Sequence, residues 1–329
     1  MQYTRLGRTG LQVSRLCLGT MTFGFQCDEA TSFSIMDRSA EGGVTFIDTA
    51  DVYPIGAPDG AAGRTEEIVG KWLDGRRHDY ILATKCNGAM SAKRWDRGLS
   101  RKHIMDAVDA SLRRLRTDYI DLYQLHAPDP ETPIDETLRA LEDITRAGKV
   151  RYVGCSNYLA YQIARAIGRS EALNIVRFDS IQPRYNLLFR EIERELLPLA
   201  AEEGIGVIPY NPIAGGLLSG KHSRETPEEG SRFVLGHAGP RYQDRYWHEG
   251  MFDTVDRLRP LADEAGMSMV QLAVAWVMAN PTITAPIIGA SRPEQLDASL
   301  AAAGTPLSAD LKERLDDLTA EYRRGDHER

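Results

Sequence analysis

Eight short apolar runs alternate with stretches of helical periodicity along this chain, and that alternation limits its fold more than any other feature. The runs cover 15–18, 44–47, 80–84, 119–125, 150–155, 178–182, 206–210 and 285–288. Short, nearly continuous apolar strands belong to parallel sheets, whose crossover helices cover the outer face. The intervening segments carry helix signals. Asp28 and Ser100 stand where capping side chains belong, ahead of helices running to about 40 and to 115. Ile104, Val108, Leu112 and Leu115 recur at helical spacing in the second of these. A helix over 65–73 has Glu66 and Glu67 in its first turn, and Pro133 opens another that Gly148 closes. Further helices are expected over 159–169, 191–203, 254–265 and 268–278, from Pro293 onward, and over 307–322, with a Gly-, Pro- and Arg-rich loop from 211 to about 250.

Eight such units in 329 residues fit a closed α/β (β/α)8 TIM barrel. An open doubly wound sheet is the alternative, but no G-x-G-x-x-G follows the first strand. The turn Leu6-Gly-Arg-Thr-Gly10, between two alternating runs, predicts an N-terminal β-hairpin. No linker or low-complexity segment interrupts the pattern, so one barrel domain over 1–329 is expected, with long loops at its C-terminal rim. A net charge of −7 argues against a nucleic-acid partner. The N-terminus lacks an apolar signal core and the longest apolar run, 270–279, is too short to span a bilayer, so a cytoplasmic protein without membrane contact is expected. Cys17, Cys27, Cys86 and Cys155 have no metal-ligand spacing and read as reduced thiols; no metal is expected.

In a barrel the C-terminal ends of all strands meet at one rim, where the chemistry of such folds sits. Asp48 ends the second run, with Tyr53 five residues beyond; Lys85 ends the third and His126 the fourth. Read singly, each has a bland alternative: Asp48 a turn former, Lys85 a solvated strand-end lysine, His126 a loop histidine before Ala127-Pro128. Four coincidences at successive strand ends are much less probable than one pocket. A phenol with a reference pKa of ~10 needs tuning to act as an acid at neutral pH, and a nearby ammonium would lower it. A carboxylate keeps the ammonium charged and placed, and a histidine can point a donor at a substrate oxygen. The set suits protonation of a carbonyl oxygen as it gains negative charge.

The residues that carry these roles resemble the aldo-keto reductases over essentially the whole chain. The most specific segments are Phe46-Ile-Asp48-Thr-Ala-Asp-Val-Tyr53 with Glu66-Glu67-Ile-Val-Gly70, then Ala83-Thr-Lys85, Asp118-Tyr-Ile-Asp-Leu-Tyr-Gln-Leu-His126, Gly148-Lys-Val-Arg-Tyr-Val-Gly154, Ser156-Asn157 and Ile288-Gly-Ala-Ser-Arg292. The resemblance implies a (β/α)8 barrel that binds NADP(H) and reduces a small-molecule carbonyl by hydride transfer. It implies a tetrad of Asp48, Tyr53, Lys85 and His126, with Tyr53 the general acid, Lys85 and Asp48 its tuners and His126 the orienting group. It also implies cofactor contacts from Thr20, Met21 and Asp48; carboxamide recognition by Ser156, Asn157 and Gln182; and ring stacking on Tyr210. The loop Asn211-Pro212-Ile213-Ala214-Gly215, with Lys221 and Arg232, would fold over the pyrophosphate. Gly289, Ser291, Arg292 and Gln295 would hold the adenosine 2′-phosphate, beside a helix start.

Two departures stand out: an insertion over 54–63 beside Tyr53, expected to shape the substrate mouth, and Ala298 and Ser299 where many members carry Glu and Asn near the adenine. Gly215-Gly-Leu-Leu-Ser-Gly220-Lys221 comes close to a nucleoside-triphosphate loop. His222 stands where such a loop needs Ser or Thr, so that reading is set aside. Two function classes follow: an NADPH-dependent carbonyl reductase, with a sugar or nucleotide-sugar carbonyl one substrate option by analogy, and an NADP(H)-binding regulatory or redox-sensing subunit resembling the potassium-channel β subunits. The intact tetrad favours the enzyme. Oligomeric state stays open, a homo-oligomer included.

Overall fold

The computed structural model describes residues 1–323; residues 324–329 of the expected domain lie outside the described residues. A hairpin comes first, with β1 (Tyr3–Arg5) antiparallel to β2 (Gln12–Ser14) in the register Tyr3 to Ser14. Its turn needs Gly7, whose φ is 55° and where a Cβ would lie 2.4 Å from the Gly204 carbonyl oxygen. The close approach matters because the hairpin plugs the sheet's lower end. Leu6 and Val13 are fully buried against Cys17, Phe46, Ala83, Leu122, Ile208 and Ala285, near the N-terminal ends of the strands. That end is thereby a floor, and only the C-terminal end is open to chemistry.

Eight parallel strands form the wall: β3 (Cys17–Gly19), β4 (Phe46–Asp48), β5 (Ile81–Cys86), β6 (Ile120–Leu125), β7 (Val150–Ser156), β8 (Ser180–Gln182), β9 (Gly206–Val207) and β10 (Ile287–Ile288). Their order is β10-β3-β4-β5-β6-β7-β8-β9. The two ends meet where Thr284 N–H donates to Val207 O and Ile287 N–H to Pro209 O, both at 2.8 Å. The register pairs Gly19 with Asp48 and Asp48 with Ala83, so the strand ends stand at one level.

Helices cover the outside. Asp28 caps α1 (Glu29–Glu41) by accepting from Thr31 N–H at 2.7 Å. Next come α2 (Arg64–Trp72), then α3 (Arg101–Leu115) capped by Ser100, α4 (Ile134–Arg146) and α5 (Ala160–Leu173). The run expected as one helix over 191–203 is a short 3-10 turn followed by α6 (Leu196–Glu203).

The expected loop from 211 to 250 differs most from its sequence reading. It contains a full helix, α7 (Gly239–Tyr246), and α8 (Glu249–Glu264) begins five residues earlier than expected from the sequence. Pro240 sits in the first turn of α7, where a missing N–H costs nothing. Tyr242 and Tyr246 are buried along one face, with Phe233 beneath. Burial of a large apolar side chain contributes about 1.5–3 kcal/mol, enough to hold a helix that propensity alone would not form. After α9 (Met269–Met278) and β10, a turn at Pro293 leads to α10 (Leu296–Ala302), and α11 (Ala309–Leu318) closes the described chain.

Candidate active site

Lys85, near the end of β5, is completely buried, and its ammonium is fully engaged. It donates to Asp48 Oδ2 at 2.5 Å, to the Thr49 carbonyl at 2.8 Å and to the Tyr53 hydroxyl at 3.3 Å. Asp48 reaches this position because it is the last residue of β4, one strand over. Tyr53 returns to the same point through the loop after β4, and its ring packs edge-on to His126, centroids 5.6 Å apart. His126 follows β6 directly and donates its backbone N–H to Cys86 O. The four residues named from strand ends therefore come together at one rim.

The second oxygen of Asp48 points to a residue that sequence reasoning missed. Asp48 Oδ1 accepts from Gln182 Nε2 at 2.8 Å and from Gln124 Nε2 at 3.0 Å, while the Gln182 amide also reaches Gln124 Oε1 at 3.2 Å. Gln124 is fully buried, two positions before His126 in β6. Its signal was present: an amide inside an apolar strand demands a buried partner. Gln182, expected at the carboxamide, thus spends both N–H groups on the Asp48 carboxylate and on Gln124.

Burial and charge set the protonation states. Burial outweighs the lowering influence of Lys85 and pushes the Tyr53 phenol up to about 12, against the fall expected from the sequence. The phenol therefore keeps its proton at neutral pH. For Lys85, burial disfavours the charge, but Asp48 and Tyr53 together win and hold it above its usual value. Burial, then the charges of Lys85 and Arg241, bring His126 down to about 3, so its imidazole is neutral and carries one N–H donor.

A cavity of about 750 Å³ opens from this cluster along the rim. It is lined by most of the sequence-named residues: Thr20, Met21, Asp48, Tyr53, His126, Ser156, Asn157, Gln182, Tyr210, Asn211, Pro212, Ile213, Gly215, Lys221, Arg232, Gly289, Ser291 and Gln295. Thr20 donates its hydroxyl to Asp48 O at 3.0 Å, and Ser156 donates to Gln182 O at 2.7 Å. Asn157 donates to His126 O at 2.9 Å and accepts from the Tyr210 hydroxyl at 2.8 Å, which fixes the Tyr210 ring beside the tetrad. At the far end Gln295 accepts from Ser291 N–H at 2.8 Å. Three named residues do not line the cavity. Lys85 lies behind Tyr53, Ala214 is buried beneath its loop, and Arg292 turns outward, 67% exposed and paired with Glu294 at 3.1 Å. Its partner there, Glu294, is itself exposed, and such a surface pair is weak.

A nicotinamide dinucleotide fits this groove by its donor set. Lys221 and Arg232 bring positive charge to the middle, and Ser231 Oγ and His222 Nδ1 are buried there without partners. Amide and hydroxyl groups gather at the tetrad end. Among the described residues no cluster could hold a metal ion, no helix is long and apolar enough to cross a membrane, and all four cysteines are buried and unpaired.

Known proteins are similar to this chain in sequence. The model of the aldo/keto reductase family matches residues 15–320. An uncharacterized oxidoreductase, YrpG, of Bacillus subtilis is 40% identical over 326 residues, covering 97% of this chain and 96% of its own. A probable voltage-gated potassium channel subunit beta of Arabidopsis thaliana is 39% identical over 92% of this chain and 91% of its own. The aldo-keto reductase YhdN of Bacillus subtilis is 36% identical over 94% and 91%.

Proposed function

The chain belongs to the aldo/keto reductase family, and from that premise we propose that it is an NADPH-dependent reductase of an aldehyde or ketone. The observation that carries the reading is Lys85, whose ammonium stands 2.5 Å from Asp48 and 3.3 Å from the Tyr53 hydroxyl, at the end of a cavity with a cationic middle. A dinucleotide bound there would supply the hydride. Everything else falls to this chain. Tyr53 and His126 receive the substrate carbonyl oxygen between a phenolic O–H and a neutral imidazole N–H. As negative charge grows on that oxygen, Tyr53 gives up its proton to it. Lys85, held charged by Asp48, then stabilises the phenolate, so the ammonium acts on the transition state more than on the resting phenol. Gln124 and Gln182 keep Asp48 aimed at Lys85. Tyr210, pinned by Asn157, offers a flat face for the nicotinamide, and Lys221, Arg232 and Ser291 meet the phosphates, with Arg292 able to swing onto the 2′-phosphate. The four buried, unpaired cysteines fit a reducing, cytoplasmic setting.

A multiple-turnover assay, following loss of reduced-nicotinamide absorbance over a carbonyl panel with NADPH and NADH, tests the proposal. Tyr53→Phe should lower kcat by roughly 10²–10⁴-fold with little change in dinucleotide Kd, since positioned acid catalysis is worth that much. The likeness to a channel β subunit supports a second reading, a dinucleotide-binding regulatory subunit. Tight NADPH binding without repeated turnover on any carbonyl would favour it.

A further inference from the structure

Two of the cavity's four cations lie away from where the dinucleotide's phosphates would pass. Lys221, Arg232, Arg241 and Arg245 line the cavity, against the carboxylates Asp48 and Glu294, which already have partners in Lys85 and Arg292. Lys221 and Arg232 lie where phosphates would pass. Arg241 and Arg245 lie elsewhere. Arg241 is close enough to His126 to act on its charge state, and Arg245 lies against the Tyr210 hydroxyl. Both therefore stand at the tetrad end, where the dinucleotide has no phosphate and its oxidised ring is positive. No carboxylate of the described residues pairs with either.

Their placement is built. They are four residues apart on α7, so they leave one face of the helix together. Buried Tyr242 and Tyr246 fix that helix to the barrel. Its lead-in is fixed in turn by the 54–63 insertion. A Cβ at Gly236, where φ is 43°, would lie 2.0 Å from Gly56 O, so the two segments can touch only through glycine. Ile55 of the insertion, with Ala127 and Ala238, adds apolar lining to the same cavity.

We propose that the reducible substrate carries an anionic group, a carboxylate or a phosphate monoester, held by Arg241 and Arg245 beside the reacting carbonyl. The proposal rests on the reductase reading above. A guanidinium fork matches either oxyanion, and the apolar lining would hold the carbon skeleton between anion and carbonyl.

The test uses the full-length protein with NADPH and matched pairs: 4-carboxybenzaldehyde against its methyl ester, and glyceraldehyde 3-phosphate against glyceraldehyde. The parent should prefer the charged member of at least one pair by kcat/KM, and which pair shows it identifies the anion. Arg245→Ala should cut that preference about tenfold or more, and the more exposed Arg241→Ala about fivefold. Arg245→Lys should restore part of it. The preference is a ratio, so general damage to a variant cancels. In parallel, fluorescence titration of the NADP⁺-loaded protein with 4-carboxybenzyl alcohol and with glycerol 3-phosphate reads anion binding without turnover. Parent turnover of the neutral members with no preference for the anions overturns the anion site and leaves the reductase reading intact. Absence of all turnover overturns the reductase reading. The anion site then stands only if one of the two anions binds and binds more weakly to the alanine variants, and it falls if neither does.

Discussion

Replacing Lys85 with methionine should destabilise the protein and abolish activity for separable reasons. The ammonium and Asp48 are 2.5 Å apart, with side-chain exposures of 0% and 3%. At an effective dielectric of about 20, that separation corresponds to about 7 kcal/mol of attraction, much of which offsets the cost of removing both charges from water. Lys85→Met removes the attraction and leaves the cost. Asp48 keeps its amide donors, Gln124 and Gln182, but is buried without a cation. The expected loss is about 3–5 kcal/mol. The double variant Asp48→Asn/Lys85→Met replaces the pair with an amide and a thioether and should recover at least half of it. Both proteins should be inactive. Lys85 is held above its ordinary 10.5, so its stabilising contribution is fully present below that pH and is lost only as pH rises through the folded-state value. Urea unfolding belongs at neutral pH, with equal denaturant slopes required of all three proteins. A single variant as stable as the parent, or a double variant weaker than the single, would refute the buried pair as the organising contact.

Three further outcomes follow from the geometry. Reductive kcat/KM should stay level from mildly acidic to mildly alkaline pH and fall only as pH climbs toward the Tyr53 value of about 12, because the protonated phenol is the competent form; with His126 near 3, a limb at the ordinary histidine value of ~6.5 would transfer the proton to the imidazole. Arg292→Ala should weaken NADPH binding by about five- to tenfold, the low side for a phosphate contact because the guanidinium is exposed and must leave Glu294. NADH binding should hardly move, and equal losses in parallel fluorescence titrations would reassign the 2′-phosphate site. Gln124→Leu should cost about 1–3 kcal/mol in urea unfolding and lower kcat, since it strips a donor from Asp48 and leaves an N–H of Gln182 unpaired. Parent-like behaviour in both measurements would remove Gln124 from the site.

The barrel and the tetrad were legible because both repeat with the strands. Each strand is short and apolar, so a charged or phenolic residue at its end is conspicuous, and the fold brings every end to one rim. Gln124 escaped because it lies inside a strand, where period alone does not tell a buried amide from a tolerated one. The Tyr53 protonation state escaped for another reason. A neighbouring lysine can be read from sequence, but the burial that opposes it depends on tertiary packing around the ring, that of His126 included. The outward turn of Arg292 toward Glu294, two residues on, was not legible either, because a side-chain direction at the surface leaves no mark on the sequence pattern.

The α7 helix is the most instructive case. Gly236, Gly239 and Pro240 read as loop signals one at a time, and each does serve a turn or a helix start. What makes the segment a helix is tertiary: Tyr242 and Tyr246 find buried positions over the barrel, and Gly56 meets Gly236 closely enough to anchor the lead-in. Local propensity is worth tenths of a kcal/mol per residue, whereas two buried tyrosines contribute several kcal/mol, so packing decides. The same packing aims Arg241 and Arg245 at the tetrad end of the cavity. On the proposed function, the chemistry is written at the strand ends, where register fixes it, and substrate choice where two irregular segments meet, since their contact gives those arginines a direction.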